Sequence, residues 1–178
     1  MKKIIILISL IIVINIVKGQ NEPLIFSKIL KLDSISKNEI FDKTLIWCSK
    51  SFSDSKSAIN VKEREGGIIV GKARVISSYK IPKRKDSILS MTFLNYYFDW
   101  LIEIKEGRLR FTANNIFLND LGDEILVTNS TKAPYQVWLQ PTSKTELEWK
   151  LSKENFINYL DRILESLKNE ILFKNSDW

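Results

Sequence analysis

The sequence predicts an α+β domain built from one antiparallel sheet covered on one face by two helices, in the order strand, helix, four strands, helix. Three observations carry that expectation. Apolar residues recur at helical spacing near both ends, from Ser36 to Phe52 and from Ser152 onward. The middle alternates with a period of two and is rich in β-branched and aromatic residues. Gly66-Gly67 and Glu106-Gly107 break that middle at points where hairpins would turn. No repeat, low-complexity tract or linker divides the chain, so a single domain is expected over residues 21–178.

The first twenty residues stand apart. Lys2 and Lys3 precede an apolar run from Ile4 to Val17, and Lys18-Gly19-Gln20 ends it. A positive start, a short apolar stretch and a small residue near a cut site are the layout of a signal peptide. The run is fourteen residues, whereas a spanning helix needs about 20. Residues 1–20 are therefore predicted to be removed after Gly19 or Gln20, with the membrane met only transiently during export. The expected location is the periplasm, the cell envelope or the medium. Cleavage would remove three lysines, leaving 24 basic against 21 acidic residues and lowering the net charge from +6 to +3. That balance does not suit a general nucleic-acid binder. The lone Cys48 forms no intramolecular disulfide, so the core must hold the fold.

In chain order, Pro23 to Leu32 reads as a first strand with Leu24, Phe26, Ile29 or Leu30, and Leu32 inward. Ser36-Lys37-Asn38-Glu39 fits a capping box. Phe41, Leu45, Cys48 and Phe52 follow on one helical face that Ile46 and Trp47 widen. Ile59, Val61 and Glu63 begin a strand that turns at Glu65-Gly66-Gly67 and returns as Ile68 to Tyr79. The basic loop Lys80 to Lys85 then breaks it. The aromatic run from Ile88 to Lys105 ends in clear alternation, with Trp100, Ile102 and Ile104 opposed to Leu101, Glu103 and Lys105. Arg108 to Phe117 pairs back with Leu109, Phe111 and Ala113 on one face. Residues 119–149 are irregular, with short strands expected at Glu124 to Thr128 and Tyr135 to Leu139 between turns and prolines. Ser152 is expected to cap a helix over 152–174 carrying Phe156, Leu160, Ile163, Leu164, Leu167 and Ile171.

Three stretches carry a family resemblance: Phe26-Ser27-Lys28-Ile29 leading to Ser36 through Lys43 and Trp47; Gly67-Ile68-Ile69-Val70-Gly71-Lys72-Ala73; and Ile104-Lys105-Glu106-Gly107-Arg108-Leu109-Arg110-Phe111. In these the sequence resembles a secreted bacterial domain of unknown function, common in Bacteroidetes and described as having a TBP-like fold. The likeness runs from about residue 24 to 118. The turn here reads Lys-Glu-Gly-Arg where the family often has Asp before the Gly. The resemblance implies a curved antiparallel sheet with its helices on the side opposite the concave face. It brings no activity, and the fold name does not imply DNA binding.

Chemistry is sparse. The chain has no histidine, which removes the usual general base, the commonest zinc ligand and every Ser-His or Cys-His arrangement. No catalytic, cofactor-binding or metal-binding residue is assigned, and no enzymatic activity is expected. Gly66 to Ala73 approaches a phosphate-binding loop, yet Ala73 replaces the metal-holding hydroxyl and a strand follows where a helix is required. The expected function is a non-enzymatic domain binding an envelope protein or glycan through the sheet's open face or through Trp138, Trp149 and Trp178. Two alternatives stand beside it. One is a carboxylate-dependent hydrolase of envelope polysaccharide, for which Asp99 with Glu103 is an example pair. The other is an anionic lipid or polyanion binder using Lys80, Lys83, Arg84 and Lys85. Cys48 is expected in the core, as are most of Phe93, Tyr96, Tyr97, Phe98 and Trp100.

Overall fold

A computed structural model describes residues 22–51, 58–81, 90–120, 123–130 and 143–173. Residues 1–20, the expected signal peptide, together with Phe52, the loop residues Lys83 to Lys85, the strand expected at Tyr135 to Leu139, Trp138 and Trp178, lie outside those residues.

The chain runs β1 (Phe26–Lys31), α1 (Lys37–Ser51), β2 (Ile59–Glu63), β3 (Ile68–Ile81), β4 (Ser90–Lys105), β5 (Arg108–Asp120), β6 (Asp123–Leu126) and α2 (Ser143–Leu172). The six strands form one antiparallel sheet in the order β1-β5-β4-β3-β2. β1 pairs with the first half of β5, and β6 pairs with its last four residues. Five strands thus separate the helices where four were expected. The fifth is β6, where the short strand was expected at Glu124 to Thr128 within the otherwise irregular stretch.

The alternation of β4 and β5 sorts the two faces. Tyr96, Phe98, Trp100, Ile102 and Ile104 point into the core with Leu109, Phe111 and Ala113, and both helices pack there. Helix α1 starts at Ser36, whose Oγ accepts from Glu39 N at 3.2 Å. Glu39 itself pairs with Lys43, one turn on, at 3.0 Å. The backbone N–H of Lys37 donates to Glu106 Oε2 at 3.0 Å, so a carboxylate from the β4–β5 turn meets the positive end of α1. The buried face of α1 is Ile40, Phe41, Thr44, Trp47 and Cys48. Ile46 is exposed instead of widening it.

Helix α2 begins nine residues before the predicted start. Ser152 is not its cap: it is buried mid-helix, with its hydroxyl 2.5 Å from Tyr96 Oη. The inward stripe is Trp149, Ser152, Phe156, Leu160, Leu164, Leu167 and Ile171, a three-or-four-residue spacing that one small polar residue interrupts. Tyr96 stacks on Phe156 with centroids 4.3 Å apart, and Phe98 meets the same ring edge-on at 5.6 Å. Trp47 Nε1 donates to Ser166 Oγ at 3.2 Å across the helix pair. Lys43 of α1 donates to the carbonyls of Ile171 and Phe173 at 2.8 and 3.1 Å. That cation serves the α2 C-terminus, whose own last turn carries no basic residue.

Cys48 lies in this core, and burial pushes its thiol up to about 12 from an ordinary 9.0. The unfolded chain therefore ionises first as pH rises. The resulting stability is fully present below about pH 9 and is lost progressively towards pH 12. Urea unfolding at pH 8 and pH 10.5 is expected to show wild type losing more stability than Cys48→Ala over that interval. A disulfide-exchange reagent should label the thiol only as the chain unfolds. Rapid labelling of the native protein at pH 8 would contradict the placement.

Candidate functional site

The second face of the sheet carries no described element, and the strand register lays its side chains out in rows. Ile68, Glu103, Arg110 and Ile29 form one row across β3, β4, β5 and β1. Val70, Leu101, Thr112 and Ser27 form the next, with Ser27 and Thr112 hydroxyls 3.1 Å apart. Lys72, Asp99 and Asn114 follow, and then Arg74, Tyr97, Phe117 and Leu126. The exposed aliphatics are at the margins: Ile29 at 59%, Ile76 at 58% and Leu126 at 48%.

One irregularity sets this arrangement. The β4–β5 register shifts between Tyr97 and Asp99, so β5 carries one residue more than its partner. Within that stretch Asn115 adopts φ 47, and its Nδ2 donates to Asp99 Oδ2 at 2.8 Å. An extra residue reverses the inside-outside phase of everything beyond it. Before the bulge the buried residues are Leu109, Phe111 and Ala113; after it they are Ile116 and Leu118. Phe117 is thereby turned onto the open face, where it stacks on Tyr97 with centroids 5.2 Å apart and planes 6° from parallel. The Arg74 guanidinium lies 5.7 Å from the Tyr97 centroid and donates to Asn95 Oδ1 at 2.9 Å.

The charges on this face are partly spent on one another. Arg110 makes a two-pronged bond to Glu103 at 2.6 and 2.7 Å. Lys72 lies 3.7 Å from Asp99. Asp99 and Glu103 are four residues apart on one extended strand, about 14 Å at ~3.4 Å per residue. Each is drawn to different partners, so they do not face one another across a cleft of the span that paired-carboxylate hydrolysis uses. Among the described residues no three acidic or cysteine side chains gather as metal ligands would.

The residues singled out from sequence fare unequally. Trp149, expected as a partner anchor, is fully buried, and its Nε1 donates to Ser130 O at 3.3 Å. Lys153 lies over that indole at 5.4 Å and donates to Ser130 O at 2.5 Å; burial pushes its ammonium below the ordinary lysine value. Trp149 is thus a core residue that ties β6's following segment to α2. Lys80 belongs to β3, which continues to Ile81, rather than to a loop. The aromatic run divides by alternation: Tyr96, Phe98 and Trp100 are core, Tyr97 is on the open face, and the Phe93 side chain lies outside the described residues.

Gly66 to Ala73 is a hairpin between β2 and β3, not a strand-to-helix loop. Gly67 has φ 70, and its carbonyl accepts from Ile104 N at 2.7 Å. At Gly71 a Cβ would overlap the Ala58 carbonyl and the Trp100 indole. The glycines meet steric demands of the sheet.

Sequence reasoning missed Phe117, Leu101, Val70 and Arg74 as members of one surface. The Asn114-Asn115 pair was the available sign, since asparagine tolerates positive φ better than other side chains.

Comparison with known proteins agrees with this architecture. Two solved structures share the fold: a DUF4468 family protein from Bacteroides ovatus, with TM-score 0.60 and 15% identity over 88% of this chain and 90% of that one, and a TBP-like protein from Parabacteroides distasonis, with TM-score 0.54 and 15% identity over 83% and 94%. No match is found among curated proteins. Residues 26–118, from β1 almost to the end of β5, match the family described as a domain of unknown function with TBP-like fold. The chain belongs to that family, DUF4468.

Proposed function

We propose that the chain is an exported, non-enzymatic binding domain whose open sheet face engages a protein partner. The observation that carries the reading is the asymmetry of the sheet. One face is sealed by two helices, while the other presents Val70, Leu101, Tyr97, Phe117 and marginal aliphatics with no described element over them. An apolar surface of this kind on an otherwise well-packed domain marks a site of association. The pattern of residues 1–20 supports an envelope or periplasmic setting.

A protein partner is favoured over a glycan by the aromatic geometry. Sugars pack on free ring faces, but Tyr97 is stacked on Phe117 on one side and approached by Arg74. The apolar side chains beside them, Val70, Leu101, Ile29, Ile76 and Leu126, are aliphatic and suit side-chain packing.

The test compares the wild-type chain with Leu101→Glu, both immobilised and exposed to the envelope fraction of the host. Leu101 is half-buried on a one-sided face, so the substitution is expected to leave the melting temperature within a few degrees. It should reduce the specifically retained protein by about tenfold, as expected when a charge is placed in an interface core. Equal retention by wild type and Leu101→Glu would overturn the assignment to this face.

A further inference from the structure

Lys31, Arg108 and Lys105 stand directly opposite one another on β1, β5 and β4, since Arg108 is the register partner of both lysines. All three are exposed and on the open face. Cβ atoms of such partners lie about 5 Å apart, and like charges placed directly opposite destabilise a sheet. Two of the nearby acids are committed elsewhere. Glu106, between Lys105 and Arg108 in sequence, meets the backbone N–H of Lys37 at the start of α1. Glu103 is held in the two-pronged bond to Arg110. Among the described residues, no ion pair joins the row to an acid. Beside it is a shallow depression of about 190 Å³ lined by Ile29, Glu103, Lys105, Arg108, Leu109 and Arg110.

We propose that this row and depression form a subsite for an acidic segment of the protein partner, with carboxylates meeting Lys31, Lys105 and Arg108 and an aliphatic side chain meeting Ile29. The inference rests on the open face being the binding surface and adds the charge of what binds there. Charge complementarity selects an anion, because three adjacent cations with no ion pair among the described residues attract one and repel a basic segment. The lining selects a peptide over a sulfated glycan or an anionic bilayer. Ile29 offers aliphatic contact, and Glu103 in the lining opposes a densely charged surface pressed flat against it.

The probe is a seven-residue peptide of alternating Glu and Val with blocked ends, titrated into the full chain and followed by backbone amide shifts. A Gln/Val peptide, a sulfated polysaccharide and phosphatidylglycerol vesicles are titrated in parallel. The Glu/Val peptide is expected to move the amides of Ile29, Lys31, Lys105 and Arg108, whereas the Gln/Val peptide should not. Arg108→Glu and Lys105→Glu, both at exposed positions, should each weaken binding by about tenfold, while Lys62→Glu on the far edge strand leaves it unchanged. Raising salt from roughly 50 to 300 mM should weaken it severalfold. Equal binding of the two peptides overturns the inference, as does occupation of the row by the polysaccharide or the vesicles with no peptide binding. Either result can coexist with loss of partner capture in Leu101→Glu, so failure of the charge inference is separable from failure of the open-face reading.

Discussion

Gly67→Ala is expected to cost about 3–4 kcal/mol of stability, a large share of the 5–15 kcal/mol typical of a domain. Two effects add at this position. The residue has φ 70, where an L side chain is strained, and an added Cβ would overlap the carbonyl of Ile104 on β4. The strand cannot retreat freely, because Ile104 N donates to Gly67 O across the same gap. Gly107→Ala supplies the control. It shares the backbone conformation at φ 66, but the nearest atoms to its Cβ are 3.8 Å away. It should lose only about 1 kcal/mol, the conformational part alone. Urea denaturation of both variants separates overlap from strain; equal losses would show that the approach of Ile104 has no energetic weight.

The same glycines explain why the chain imitates a phosphate-binding loop. Gly67 is required by the β2–β3 turn, and Gly71 by the Trp100 indole behind it. Gly66, beside Gly67 in that turn and five residues before Gly71, with Lys72 following on the open face, produces the spacing by coincidence of the sheet. The helix N-terminus that gives the true motif its anion affinity is missing here because β3 continues in its place.

How far the sequence discloses the fold depends on how local each determinant is. The helical stripe of α1, the Ser36 cap and the alternation of β4 and β5 are properties of adjacent residues, and they are legible. The start of α2 is hidden because Ser152 looks like a cap when read alone. It is in fact the small, buried member that lets Tyr96 approach. Reading the stripe back from Phe156 through Ser152 to Trp149 would have extended the helix and withdrawn Trp149 from the candidate anchors. The site is less legible than the fold. Its rows join residues on different strands, and pairing Lys31 with Arg108 needs the register of β1 against β5. No single-strand pattern contains that register. Composition could suggest that a face is open, but only the bulge determines which aromatic residues occupy it.

Deleting Asn115 should therefore have the largest effect of any single change in the sheet. With the extra residue removed, β5 must keep one phase throughout. Either Ile116 and Leu118 turn out to the open face and Phe117 turns into the core, or the upstream half shifts and Leu109, Phe111 and Ala113 lose their places. All five buried residues among these are at most 2% exposed. Exposing two or three such side chains forfeits about 1.5–3 kcal/mol each. At roughly 2–4 °C per kcal/mol for a domain of this length, the melting temperature should fall by at least about 6 °C, or the cooperative transition should vanish. Asn115→Gly keeps the positive φ accessible and removes only the bond to Asp99. It should change stability by about 1 kcal/mol or less. Thermal unfolding followed by near-ultraviolet circular dichroism, which reports the packing of Trp100 and Tyr96, distinguishes the two variants. A deletion variant that melts within a few degrees of wild type would mean that the bulge does not set the phase of β5. The placement of Phe117 beside Tyr97 on the open face would then need another cause.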